Sequence, residues 1–332
     1  MSKDRKKDHI EMAFNSVPLE QFLMDGFAYE PLMEAHPTDS GQLDREFLGM
    51  NFKMPVWVSS MTGGTEMASV INTNLAKACG EFGMGLGLGS CRPLLDDNNR
   101  FGDFDIKHLM PEAPLFTNFG IAQIEELVDA NSLSEIDNIT KSLKADGIII
   151  HVNPLQEWNQ PEGDRFKRAP LESIKAVLAQ SSYQIIVKEV GQGFGPKSLK
   201  SLMDLPLAAI EFGAFGGTNF TLLEQARLLG DESGKRAHRN EFGHIGHSAL
   251  EMVTFVNELR SDADKCQRFI ISGGVKSPLD AHRLLQQLNA NSVVGVASGF
   301  LKYAMKDYDY LREYVAEYKD CLLMANAFLK RV

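Results

Sequence analysis

The chain has 332 residues, 44% of them hydrophobic and 23% charged, and a formal net charge of −10. This is the composition of a soluble globular protein large enough to bury about 75% of its unfolded surface without metal or disulfide staples, and its acidic balance argues against general binding to nucleic acid or anionic membranes. Four scattered cysteines with no CxxC, a polar start with no apolar h-region, and no apolar run near the ~18 residues of a membrane span imply a reduced, cytoplasmic protein.

Eight strand-like runs follow a polar N-terminal arm. Met54–Ser60 ends in Met61-Thr62-Gly63-Gly64, and a helical stretch runs from about Glu66 to Phe82. Met84–Ser90 and Leu115–Phe119 are the second and third strands, and a helical region leads to the fourth, Gly147–Val152. Gln184–Val190, Ala208–Phe212, Arg268–Ser272 and Ser292–Ala297 complete the set. Ala281, Leu284, Leu285 and Leu288 have helical spacing, with Ser277-Pro278 and Asp280 as N-cap and first turn. Leu311, Tyr314, Val315, Tyr318 and Leu322 mark a last helix. Strands alternating with helices predict an α/β fold, a (β/α)8 TIM barrel with a short N-terminal arm. A doubly wound sheet is the rival, but polar or glycine signals follow nearly every strand and not just one switch point. No repeat or linker divides the chain, so 1–332 reads as a single domain, with 1–50 as arm and lead-in, 51–332 as barrel, and an extended connection around Arg227–Gly246.

In a barrel all strand C-termini share one rim, where functional residues gather. The richest stretch there is His151-Val-Asn-Pro-Leu-Gln-Glu157, continuing to Asp164, where an apolar strand gives way to polar residues and two prolines forbid an immediate helix. Ser272-Gly273-Gly274-Val275-Lys276 and Ala297-Ser298-Gly299 occupy the two turns where barrels hold phosphate, with Gly216-Gly217-Thr218 beside them. A tight strand-to-helix turn also favours glycine. Ser60, Met61, Thr62, Ser90, Asn118, Asn153 and Gln156 reach the same rim. Lys188 interrupts an apolar strand. It either faces an anion, as a Schiff-base former or a charge partner for an electron-rich ring, or points outward into solvent. Gly83–Gly89 lacks the GxGxxG spacing, and Pro93 with polar residues follows it instead of a helix opening, so a dinucleotide site is rejected. His238, His244 and His247 lack matching metal-ligand spacing. Glu157 suits an oxygen-preferring ion such as Mg²⁺, completed by water and substrate phosphates. The basic arm Arg5-Lys6-Lys7-Asp8-His9 is either a solvated terminus or a flap that neutralises a diphosphate, with Arg92 helping from the opposite side.

These residues resemble a known family. His151-x-Asn153-Pro-x-Gln156-Glu157-x-x-Gln160-Pro-Glu-Gly-Asp164 is similar to the signature of type 2, flavin-dependent isopentenyl diphosphate isomerases, and Arg5-Lys6-x-x-His9, Ser60–Gly64, Gly89-Ser-x-Arg92, Asn118-x-Gly120, Val187–Gly191, Gly216–Thr218 and Ser272–Gly274 extend the match. The resemblance implies a homo-oligomeric barrel (tetramer or octamer) that interconverts isopentenyl and dimethylallyl diphosphate with reduced FMN and Mg²⁺, NADPH being the usual reductant. It implies that Gln156 assists proton transfer and that Glu157 holds Mg²⁺. Arg5, Lys6, His9, Ser90, Arg92, His151, Asn153 and Gln156 are then the substrate residues. Ser60, Met61, Thr62, Ser90, Asn118, Lys188, Thr218, Gly273, Gly274, Val275, Lys276, Ala297 and Ser298 are the FMN residues.

The chain departs from the family pattern at Cys91, at Glu211–Phe215, at Phe220 and over Phe242–His247. Two other readings stand beside this one. An FMN barrel of the α-hydroxy-acid oxidase type needs a histidine–arginine pair after strands six and seven, where this chain has Gly213–Gly217 and Ser272–Gly274. The other is a flavin- or phosphate-binding barrel with no isomerase activity.

Overall fold

The computed structural model describes residues 7–9, 11–13, 26–38, 40–60, 67–97, 99–228 and 241–332. Strand β1 (Phe27–Tyr29) comes first, followed by a hairpin of β2 (Arg45–Phe47) and β3 (Met50–Phe52). The next eight strands are β4 (Val56–Val58), β5 (Gly85–Gly87), β6 (Leu115–Gly120), β7 (Gly147–Val152), β8 (Gln184–Glu189), β9 (Ala209–Glu211), β10 (Arg268–Ser272) and β11 (Asn291–Val296). They pair in parallel, in chain order, and β11 returns to β4 to close the barrel. The final strand, β12 (Leu329–Arg331), pairs antiparallel with β1. The expected (β/α)8 barrel is therefore the observed fold, and each expected barrel strand is present to within two or three residues at its ends. Among the described residues no helix is long and apolar enough to cross a membrane.

Alternation along each strand sorts side chains into two cores. Outward residues such as Val56, Ile148, Ile150, Val187 and Val294 pack beneath the helices. Inward residues form a separate buried cluster of Trp57, Phe116, Ile149, Ile186, Ala209, Ile270 and Val293. Gly85 gives Trp57 its room, because a Cβ there would lie 2.3 Å from the indole. The β2–β3 hairpin adds Phe47, Leu48 and Phe52 to this cluster and plugs the N-terminal end of the barrel. It is fastened there by Arg45 Nη1 donating to the Ser292 carbonyl at 2.6 Å and by Asn291 Nδ2 donating to the Glu46 carbonyl at 3.0 Å. The 1–50 lead-in thus carries part of the barrel core.

Two expectations about proline are corrected. A helix over Pro154–Asn159 begins immediately after β7, and another over Pro93–Asp96 follows the β5 loop. In both, proline occupies the first turn, where a backbone N–H has no intrahelical acceptor to lose and the fixed φ already suits a helix. The Pro278–Gln287 helix begins as expected, with Ser277 accepting from the Asp280 amide at 3.1 Å.

Candidate active site

Two residues beyond the apolar cluster, each strand presents its next inward position to the C-terminal mouth. These positions are Ser59, Gly87, Asn118, His151, Lys188, Glu211, Ser272 and Gly295. An apolar floor thus lies beneath a polar tier. Lys188 faces inward, which removes the outward, solvated option, and only 6% of it is exposed. Its Nζ donates to the Glu189 carbonyl at 3.1 Å, and in register it stands between His151 and Glu211.

On one side of the mouth a cavity of about 500 Å³ opens above β8–β11. Ser59, Ser60, Lys188, Glu211, Thr218, Gly273, Gly274, Val275, Lys276, Ala297 and Ser298 are among the residues lining it. Nine of the thirteen residues expected at the cofactor are in that wall. Gly273 has φ +88°, and a Cβ on it would lie 2.1 Å from the Ala214 carbonyl oxygen. The β9 and β10 loops can therefore pack backbone to backbone, and a Cβ on Gly217 would sit 3.1 Å from Gly273 Cα. Glycines in these turns leave the backbone open to close approach from the cavity, so the turns suit a phosphate.

The loop after β8 is shaped by Glu189. One of its carboxylate oxygens accepts from the amides of Val190, Gly191, Gln192 and Gly193 at 2.6–2.9 Å. Burial pushes this carboxyl up while the four amides pull it down.

The other side of the mouth is built differently. Asn118 Nδ2 donates to the Leu88 carbonyl at 3.1 Å, which turns Asn118 Oδ1 toward His151 Nδ1 at 2.9 Å. That network places the imidazole proton on Nδ1 and leaves Nε2 as an acceptor. Burial, and then the charge of Lys188, push the His151 pKa down to about 3, so the ring is neutral near pH 7. Asn153 Nδ2 donates to Gln156 Oε1 at 3.2 Å and to Glu157 Oε1 at 2.9 Å. Glu157 Oε2 accepts from the Asp164 amide at 2.8 Å. The Asp164 carboxylate faces Arg92 at 3.6 Å, and Ser90 Oγ accepts from the Arg92 amide at 3.4 Å. Hydrogen bonds and one ion pair therefore join the ends of β5 and β7 into one polar chain.

Arg5, Lys6, Met61, Thr62 and His238 lie outside the described residues. His9 is exposed on a short helical segment, and His244 is exposed as well. His247 packs edge-on against Phe255 with ring centroids 5.2 Å apart. Among the described residues no group of three or more His, Cys, Asp or Glu side chains is arranged to hold a metal ion. Glu157 therefore stands as a single carboxylate, a donor set that suits a hard cation keeping water and phosphate ligands. Three residues were missed as members of the site: Glu189, Asp164 within its motif, and Glu211. Glu211 interrupts an apolar strand just as Lys188 does, and that signal could have found it.

No protein-family model matches the chain. The isopentenyl-diphosphate delta-isomerase of Rickettsia africae (strain ESF-5) is 34% identical over 314 residues, spanning 93% of this chain and 88% of the relative. That of Mycolicibacterium vanbaalenii is 30% identical over 329 residues, 96% of this chain and 91% of the relative. Among solved structures, mandelate oxidase with (S)-2-phenylpropionate is similar with a TM-score of 0.57 and 14% identity, over 92% of this chain and 86% of that chain. A mandelate oxidase mutant with a monooxide FMN adduct is similar with a TM-score of 0.55 and 12% identity, over 92% and 88%. At these identities the likeness to the oxidases is one of fold.

Proposed function

This chain belongs to the isopentenyl-diphosphate delta-isomerase family, and from that premise we propose that it interconverts isopentenyl and dimethylallyl diphosphate by a flavin-dependent route. The observation that carries the reading is the division of the mouth. Amide-lined turns and an inward lysine form one side, and a carboxamide–carboxylate pair forms the other, around one polar tier.

The first side fits FMN. A 500 Å³ cavity is of cofactor size, its glycine turns offer amides to a phosphate, and Lys188 offers a cation to the electron-rich pyrimidine edge. Ser60, Thr218, Gly273, Gly274, Val275, Lys276, Ala297 and Ser298 would hold the cofactor there, with Ser90 and Asn118 approaching from the neighbouring strands. When bound and reduced, with NADPH as reductant, the flavin supplies negative charge and an exchangeable proton beside the alkene.

The second side fits the diphosphate and the proton. Shifting the double bond adds a proton at one carbon and removes one from another. Gln156, oriented by Asn153, would sit beside the alkene and assist the proton transfer. Glu157 would hold Mg²⁺, which would supply positive charge to the diphosphate. Arg92 brings a positive charge to the same end. His151 and Asn153 position the substrate over the tier, and Arg5, Lys6 and His9 of the arm close the charge balance. Oxidase chemistry is less well supported, because the β9 and β10 loops carry glycines where it requires a histidine–arginine pair. The intact Asn153–Gln156–Glu157 group supports an enzyme over a passive binder.

The test is conversion of isopentenyl diphosphate by protein loaded with FMN and Mg²⁺, with and without reductant. Turnover is expected only after reduction. Gln156→Ala is expected to lose about 100-fold or more in rate, with stability unchanged within about 0.5 kcal/mol. Turnover with oxidised flavin, or a full rate in Gln156→Ala, would overturn the assignment.

A further inference from the structure

Glu211 is fully buried at the end of β9, it lines the cavity, and among the described residues neither of its carboxylate oxygens has a hydrogen-bond partner. A buried carboxylate left in this way is costly unless a ligand brings donors to it. Lys188 is its register neighbour but donates to the Glu189 carbonyl, and among the described residues no ion pair joins the two. The chemistry of a flavin limits what can satisfy it. The phosphate brings only acceptors and negative charge, and the pyrimidine edge that suits Lys188 is mainly an acceptor. The ribityl chain brings three hydroxyl donors.

The order around the barrel matches that division. Lys188 is on β8, Glu211 on β9, and the amide turn Ser272-Gly273-Gly274 follows β10. Cation, carboxylate and amides thus succeed one another as pyrimidine edge, polyol and phosphate do along FMN. We propose that Glu211 is the acceptor that anchors the ribityl hydroxyls, making the polyol chain a determinant of which flavin this site selects. The inference rests on the flavin reading above and adds a residue to it.

The test compares dissociation constants for FMN and for a flavin phosphate whose ribityl chain is replaced by an unbranched five-carbon alkyl chain. Fluorescence titration of the full-length protein in the dark reads both. Wild type is expected to prefer FMN by about 10- to 100-fold, the worth of one or two charge-assisted hydrogen bonds. Glu211→Gln is expected to lose most of that preference while binding the alkyl analogue as wild type does. If Glu211→Gln does not fold, the comparison of the two flavins on wild type decides alone, and equal affinity overturns the proposal. Unchanged FMN affinity in a folded Glu211→Gln also overturns it. Equal losses for both flavins would make Glu211 a counter-charge for Lys188 and overturn it too. Wild type that binds neither flavin would instead overturn the flavin reading, and this proposal with it.

Discussion

The floor and the mouth of this barrel are made by the same strands, two residues apart, and obey opposite rules. In the floor, Trp57, Phe116, Ile149, Ile186 and Ile270 fill the interior with apolar volume, and the β2–β3 hairpin seals the end. In the mouth, the next inward positions are mostly polar, and among the described residues several atoms there have no hydrogen-bond partner: Ser59 Oγ and both oxygens of Glu211 at inward positions, with Ser60 Oγ and Asn153 Oδ1 next to the tier. Each unpartnered buried polar atom costs stability, and the packed floor offsets that cost. The contrast teaches that stability and ligand chemistry in this molecule are separated by one pleat of each strand.

The severest test of that separation is Trp57→Ala. Trp57 is fully buried, meets Phe116 edge-on with centroids 5.5 Å apart, and fills the space that Gly85 leaves. Its removal should cost about 3–5 kcal/mol, since the rigid barrel cannot collapse into the hole. Urea unfolding should show the loss, while the flavin affinity of the folded protein changes little. The reverse pattern would erase the distinction between floor and mouth.

A smaller effect should separate the two tiers by pH. His151 in the mouth is held at about 3, against 6.5 for an ordinary histidine. Its neutral form is favoured by folding, so the contribution is complete above about pH 6.5 and is lost as pH falls toward 3. At pH 4 the loss amounts to about 3 kcal/mol at most. His151→Asn should flatten the stability profile between pH 6.5 and 4, measured by urea unfolding at several pH values. An unchanged slope would mean that other groups govern acid sensitivity.

The tiers were only partly legible in the sequence. Mainly apolar runs such as Gly147–Val152 and Arg268–Ser272 mark barrel strands with their bounds, because a strand buried on both faces has few polar interruptions, and those fall near its ends. The inward face was hidden for the same reason: with both faces apolar, alternation cannot say which way Lys188 points. Period-two counting becomes decisive only once closure of the barrel defines an interior. The sealing hairpin was missed for a different reason. Its two-residue turn is Leu48-Gly49, both at positive φ, and leucine is an unusual occupant where Asn-Gly or Asp-Gly is the familiar signal. Burial of the Leu48 side chain in the floor compensates for the strain, and that compensation exists only in three dimensions. The Gln156–Glu157 motif was legible as local sequence, whereas its link through Asp164 to Arg92 is a long-range contact.

The mildest prediction marks where the ligand-facing part of the mouth ends. Ser277 lies three residues beyond Gly274 and is polar, yet its atoms are committed to its own helix. Its hydroxyl accepts from the Asp280 amide at 3.1 Å and also faces Asp280 Oδ2 at 3.1 Å, while that same oxygen accepts from the Lys276 amide at 3.2 Å. Ser277→Ala should therefore behave as a lost N-cap, costing about 1 kcal/mol in urea unfolding and leaving flavin affinity unchanged. Contrast with Glu211 makes the point: one side chain has all its partners within one turn of helix, and the other has none within the described protein. A tenfold weaker flavin affinity in Ser277→Ala with stability intact would extend the binding surface past Lys276 and into the helix itself.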